Sequence, residues 1–385
     1  MTVRTRERLL QTWASGGYTR HSDGYVLAAP SSGTAEYEYC HDSIQASPFV
    51  NDQPLTIIRK LVNPIVIEGN TLQYGNGQVD FHHYSPDGSS NYSTACPNVT
   101  PIDGAYWTTR ALANADPYNP AVDLPLFWFE LKDFPGMLKE LGHVLQRKIK
   151  PSMVPGGYLS YKFGWAPLVS DVRKLLDFSK QTEDRARYFR NLEWRHHVKR
   201  TLFNGEISRK TTKDGYIILT NMPLGKYGYT ADVTTYENLR VWYSTNAKLL
   251  KDIPAMPNEL RKVAFKASYG LNLRAETFWD AIPWTWLSDY LFNIGDYISA
   301  NQALTHLKVT RFNLMWTNDA RTVHERVRLA PGLSSTAYEA QTVSQSRSVS
   351  QNPTPRITTT PFLTKSQEGI LGALATASAL RKFRR

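Results

Sequence analysis

Cysteine is nearly absent: Cys40 and Cys96 are the only two among 385 residues. No disulfide framework can organise such a chain, and without a C-x-x-C pair a thiolate zinc site is not expected. Cys40-His41 and His82-His83 sit at spacings that match no metal pattern. There is also no uninterrupted apolar run of about 20 residues, the length a bilayer-spanning helix needs. The longest apolar-rich stretch, 278–298, carries Asp280, Asp289 and Asp296, and carboxylates are costly at membrane depth. The apolar run 370–380 is too short to span. The basic start, Met1–Arg8, leads into no apolar segment, so a secretory leader is not expected. Walker A, G-x-S-x-G and H-E-x-x-H signatures are missing, and His324-Glu325 has no second histidine at the required position. The reading is therefore a non-enzyme with no cofactor, no metal and no small-molecule substrate.

Aromatic residues are abundant, with 21 Tyr, 15 Phe and 10 Trp. Disordered chains are poor in such residues, so most of this one is expected to fold. Charge is one-sided, 45 Lys+Arg against 34 Asp+Glu, formally +11. A basic chain of this size favours polyanionic partners. The length suggests two or three domains.

Along the chain, strand and helix patterns alternate. Residues 1–120 are rich in Gly, Pro, Ser, Asn and Tyr, with short β-branched stretches such as 55–58, 65–67 and 79–81, and turn signals at Asn63-Pro64, Asn76-Gly77 and Asp87-Gly88. They predict short strands and long loops. From Asp123 onward, Phe127, Leu131, Phe134, Leu138, Leu141 and Leu145 recur at helical spacing. Pro135 interrupts that helix, and Asp133 suits an N-cap for its restart. A further helix face, Leu168, Val172, Leu175 and Leu176, continues to about His197. Strand chemistry returns over 201–245, with Asp214-Gly215 as a turn. Helix patterns resume over 258–267 and 278–296. Phe312, Leu314 and Trp316 alternate onto one strand face, and residues 324–329 suit a partner strand. Residues 331–361 read as loop or irregular strand, and 366–385 as a small-residue helix ending in cations. The fold class is α+β. The β region comprises 1–122, 201–257 and 301–365; the α region comprises 123–200, 258–300 and 366–385, its helices sharing one apolar core.

Two aromatic blocks stand out, 161–172 and 278–296. Each combines large rings, a proline and a carboxylate at the head of a helix-patterned stretch. Phe163, Gly164, Trp165, Pro167, Leu168 and Asp171 in the first, and Trp279, Ile282, Pro283, Trp284, Asp289 and Gly295 in the second, resemble the core of the maturation (A) proteins of levivirus-like single-stranded RNA bacteriophages. That family often has Trp after the aspartate of the second block, where this chain has Tyr290. The resemblance implies an elongated molecule with a curved antiparallel sheet region and a separate helical bundle, the chain crossing between them several times. It implies a virion protein present as a single copy that replaces a coat-protein dimer in the capsid. The bundle would grip genomic RNA, including a 3′-end structure, while the β region, outside the capsid, would mediate attachment to a host receptor, commonly a pilus. Physically, Trp165, Trp279, Trp284 and Trp286 read as core packing, and Asp171 and Asp289 as helix caps or arginine partners.

The RNA-contact candidates are the basic clusters. Arg185, Arg187, Arg190, Arg195, Lys199 and Arg200 form the densest, with Tyr188, Phe189 and Trp194 interleaved. Arg173, Lys174 and Lys180 extend it, and Arg381, Lys382, Arg384 and Arg385 add the tail. Cations neutralise phosphate and aromatic faces stack on unpaired bases. The plain alternative is a solvated helix face paired to Glu183, Asp184 and Glu193. Receptor contacts are expected among the tyrosines of 37–39, 84–92 and 227–236. A cellular RNA-binding or RNA-processing protein, and a maturation protein that also acts as a lysis factor, are the alternative functions.

Overall fold

The computed structural model describes residues 2–44, 53–73, 77–85, 95–126, 170–171, 173–174, 177–218, 229–271, 275–281 and 285–382. Among them the protein is mixed α+β with two antiparallel sheets, as expected from the alternation of patterns. The strands are β1 (Thr2–Ser15), β2 (Tyr18–Arg20), β3 (Val26–Ala28), β4 (Ser31–Ile44), β5 (Leu55–Asn63), β6 (Ile67–Gln73), β7 (Gly77–Tyr84), β8 (His197–Ile218), β9 (Tyr229–Leu249), β10 (Leu307–Leu329), β11 (Leu333–Ser335) and β12 (Glu339–Ser350). The larger sheet runs β1-β4-β5-β12-β10-β9-β8 and the smaller β11-β6-β7-β2-β3. The helices are α1 (Gly104–Ala115), α2 (Phe178–Arg195), α3 (Pro257–Ser268), α4 (Ala275–Ala281), α5 (Thr285–Leu291), α6 (Ile294–His306) and α7 (Lys365–Lys382).

Two compact units divide the chain. One comprises Met1–Pro101, Thr201–Trp242 and Asn313–Val349; the other comprises Ile102–Arg200, Tyr243–Phe312 and Ser350–Arg385. The divisions at 200, 242 and 312 fall within β8, β9 and β10.

The strands are much longer than the sequence pattern suggests. In β9, residues 237, 239, 241, 243, 245 and 247 are all buried, while Asn238 and Arg240 are exposed. That is the period-2 signature of a sheet with one covered face. Residues 324–329 do not form a partner strand; they continue β10, because no Gly or Pro interrupts 317–323. Asp214-Gly215 is likewise not a turn between strands but part of β8, although Asp214 takes a left-handed φ of 47°. Asn76-Gly77 does mark a hairpin: Gly77 opens β7 at φ 69° and pairs with Gln73. Residues 333–335 and 339–350 are regular strands rather than loop.

In the first unit Val62, Ile65, Ile67, Val79, Phe81, Cys96, Tyr229, Ala231, Tyr338 and Ala340 form a buried core. Cys40 and Cys96 are both buried and unbridged. Tyr84 packs on Tyr18 at 5.1 Å and Phe81 at 5.8 Å, and Arg209 lies 5.3 Å from the Tyr236 ring centroid. These rings of the expected receptor stretches serve packing; residues 86–92 and 227–228 lie outside the described residues.

His324 joins this core. Its Nδ1 is 3.1 Å from the Tyr229 hydroxyl and its ring stacks 4.2 Å from the Tyr338 centroid. Burial pushes its pKa down from 6.5 to about 4. The folded chain therefore binds this proton less readily than the unfolded chain. The stabilisation is complete above pH 6.5, declines as pH falls toward 4, and levels off below. Urea denaturation between pH 7 and 4.5 should show this decline in the native protein and a shallower one in His324→Phe.

In the second unit, α1 begins at Asp103, whose carboxylate accepts from the Ala105 and Tyr106 amides. This helix lies where strands and loops were expected. It buries Trp107 and Leu112, and its Leu112 and Ala113 pack with Ala300 of α6. The helix expected over 124–150 lies almost wholly outside the described residues; 124–126 are helical. The segments expected helical at 258–300 and 366–385 contain α3 to α6 and α7. Among the described residues no helix is long and apolar enough to cross a membrane.

Candidate nucleic-acid interface

The densest cationic stretch coincides with α2. Residues 170–171 and 173–174 are already helical, and the Gln181 amide donates to Asp177 O. Ala186, Phe189 and Leu192, three apart, are buried on one stripe. Ala186 and Phe189 pack against Leu260, Ala264 and Ala267 of α3. The helix stops at His196, which turns left-handed at φ 48° and donates its amide to Leu192 O. Pro257 opens α3, where a missing N–H carries no cost.

This packing sorts the predicted cations. Lys180, Arg190 and Arg195 are exposed and have no ion-pair partner among the described residues. Arg187 is exposed and pairs with Asp184 at 2.8 Å. Arg173 is exposed, and Lys174 lies 3.3 Å from Asp171. Arg185 turns inward instead and donates to Pro117 O at 2.8 Å and Asn119 O at 2.5 Å, fastening the chain after α1 to α2. Arg200 donates to Asn114 O at 2.8 Å and lies 4.6 Å over the Tyr188 ring. Arg185 is half-buried by these bonds while Arg200 stays exposed beside its own, contacts that sequence spacing alone did not show. Lys199 is exposed on β8, one residue before Arg200. Arg381 and Lys382 end α7, with side chains outside the description; Arg384 and Arg385 lie outside the described residues.

The aromatic residues sort as sharply. Phe189 is fully buried, and the Tyr188 hydroxyl donates to Ala115 O, its pKa raised by burial. Trp194 is 82% exposed. It lines an open groove of about 840 Å³ with Arg190, Asn191, Glu193, Arg195, Pro254, Ala255 and Leu260. A second groove, between α2 and α3, adds Arg261, Lys262 and Lys266. Sequence reading recognised the α3 helix but passed over these cations, whose spacing places them along one exposed side.

The second aromatic block forms a different kind of site. Asp289 accepts from Trp279 Nε1 at 3.3 Å and from the Gly295 amide at 3.0 Å, joining α4, α5 and α6. A Cβ at residue 295 would lie 3.0 Å from Asp289 Oδ2, so glycine permits the approach. The following Asn293 is buried and exchanges hydrogen bonds with the 356–358 backbone. Asp296 nearby is half-buried, and its desolvation raises its carboxyl pKa against the opposing pull of Arg110. Asp289 thus holds these helices together through an indole N–H and a backbone amide, where a helix cap or an arginine pair was expected. Phe163, Gly164, Trp165, Pro167, Pro283 and Trp284 lie outside the described residues. No group of three metal-ligating side chains occurs among the described residues.

Fold and site thus define a mixed α+β protein with an exposed cationic helix pair and a carboxylate-centred helix junction. The model of the phage maturation protein family matches residues 131–312, a stretch that holds both aromatic blocks, α2 and α3. Over that stretch, a little under half of the chain, the sequence is similar to phage maturation proteins. No curated protein matches the sequence.

Proposed function

We propose that this chain is the single-copy maturation protein of its virion. It takes the place of a coat-protein dimer, binds the genomic RNA at a 3′-end structure, and attaches the particle to a host receptor such as a pilus. The helical unit carries the RNA contact through α2, with the tail cations Arg381, Lys382, Arg384 and Arg385 as a second contact. The strand-rich unit carries the receptor contact. One observation supports this reading above others: the family match spans the helix on which Lys180, Arg187, Arg190 and Arg195 stand in solvent. Catalysis has no part in it.

Replacing Lys180, Arg187 and Arg190 together by alanine should weaken binding to the genomic 3′ end. Each lost phosphate contact should flatten the dependence of log affinity on log salt by about 0.7. A salt titration of binding checks this, and an unchanged slope would remove α2 from the RNA surface.

A further inference from the structure

Three aromatic rings punctuate the basic stretch of α2, and the fold leaves one of them to solvent. Phe189 belongs to the α2–α3 core, and Tyr188 is held by Ala115 O and covered by Arg200. Trp194 is the exposed one. An indole stranded in water on a helix forgoes a large burial gain. Its surroundings indicate what can cover it.

Arg190, Asn191, Trp194 and Arg195 stand at positions i, i+1, i+4 and i+5, so they share one side of the helix. The opposite wall, Pro254, Ala255 and Leu260, is apolar. The groove thus combines an exposed ring with apolar lining, and has one arginine a turn before the ring and another on the next residue. The helix ends immediately beyond, at His196. Its C-terminal carbonyls make that end partly negative, which disfavours a phosphate placed on the ring itself. A neutral planar group above the indole, with phosphates displaced toward the two arginines, satisfies both conditions. Asn191 and Glu193 at the rim offer hydrogen-bonding groups for a base edge.

We infer that this groove receives one unpaired base of single-stranded RNA, stacked on Trp194, with its flanking phosphates held by Arg190 and Arg195. The inference rests on the RNA-binding reading and deepens it: it assigns part of the grip to an unstacked nucleotide rather than to a paired stem. A base within an A-form stem keeps its faces against its neighbours and cannot enter the groove.

The test uses the full chain and two probes, an eight-nucleotide oligouridylate and a blunt RNA duplex without unpaired bases. Trp194→Ala should lower affinity for the single strand by about 5- to 150-fold at fixed salt, the range of one base–aromatic stack. It should leave duplex affinity and the unfolding midpoint unchanged, because the ring is outside the core. Trp194→Phe should recover most of the loss. An unchanged single-strand affinity in Trp194→Ala, while the native protein still binds with its normal salt dependence, would overturn the groove and spare the function. Equal losses on both probes would also overturn it, as would loss of coat-protein binding with RNA binding intact. A native protein that binds neither probe nor the genomic 3′ end would remove the RNA reading itself.

Discussion

Replacing Glu237 by alanine should destabilise the strand-rich unit by about 3 kcal/mol, since each buried donor left without an acceptor costs about 1–3 kcal/mol. Glu237 is 5% exposed on β9. Its carboxylate accepts from the Thr100 amide, the Thr100 hydroxyl and the Asn318 side-chain amide, each at 2.6 Å. Ser208 Oγ lies 3.5 Å away. One side chain of β9 thus collects donors from β8, β10 and the segment leading to α1. Alanine would leave those donors buried without their acceptor, and an unmade buried hydrogen bond costs more than a made one contributes. Glutamine keeps the shape but turns an N–H toward a ring of donors, so it should recover only part of the loss. Urea titration reads the effect as a lower midpoint at unchanged slope. A change below about 1 kcal/mol would show that water replaces the carboxylate without penalty.

Asp289→Ala should cost the helical unit about 2–3 kcal/mol, the desolvation penalty of donors left without an acceptor. Trp279 Nε1 and the Gly295 amide would both lose their acceptor, and the junction of α4, α5 and α6 would lose its common centre. Gly295→Ala approaches the same junction from the other side, because its Cβ would press on Asp289 Oδ2. The two changes act on one contact, so their combined cost should fall short of the sum. Thermal unfolding of the single and double variants measures this directly; fully additive losses would mean that Asp289 and Gly295 act independently.

What the sequence made legible follows from how local each signal is. The helix expected from the Leu168, Val172, Leu175 and Leu176 face to about His197 contains α2, but the stripe that packs it was not read, and Phe189 was grouped with the stacking rings. The Trp279–Asp289–Gly295 contact was legible as a block but not as a geometry, since a helix turn and a break separate its members. By contrast, α1 was missed although Asp103 carries an N-cap signal, because the surrounding Gly, Pro and Asn composition speaks for loops. Strand length was underestimated for a related reason. Threonine, asparagine and arginine in 317–323 look like a turn locally, yet β10 runs through them in a central strand of the larger sheet. The backbone contacts of Arg185 and Arg200 went unread because their partners, carbonyls of residues 114–119, lie more than 60 positions away. The division between α2's free and fastened cations is a property of packing, and only the folded chain displays it.

The backbone at Arg356 bonds the Thr109 hydroxyl on α1, and the next residues join the turn before α6. Some 250 positions of chain therefore emerge from the ribosome between the first half of this clasp and the second. Throughout that interval the nascent helical unit lacks its closing piece, and α1 must wait for it. Closure of this clasp therefore waits until residue 356 has been synthesised.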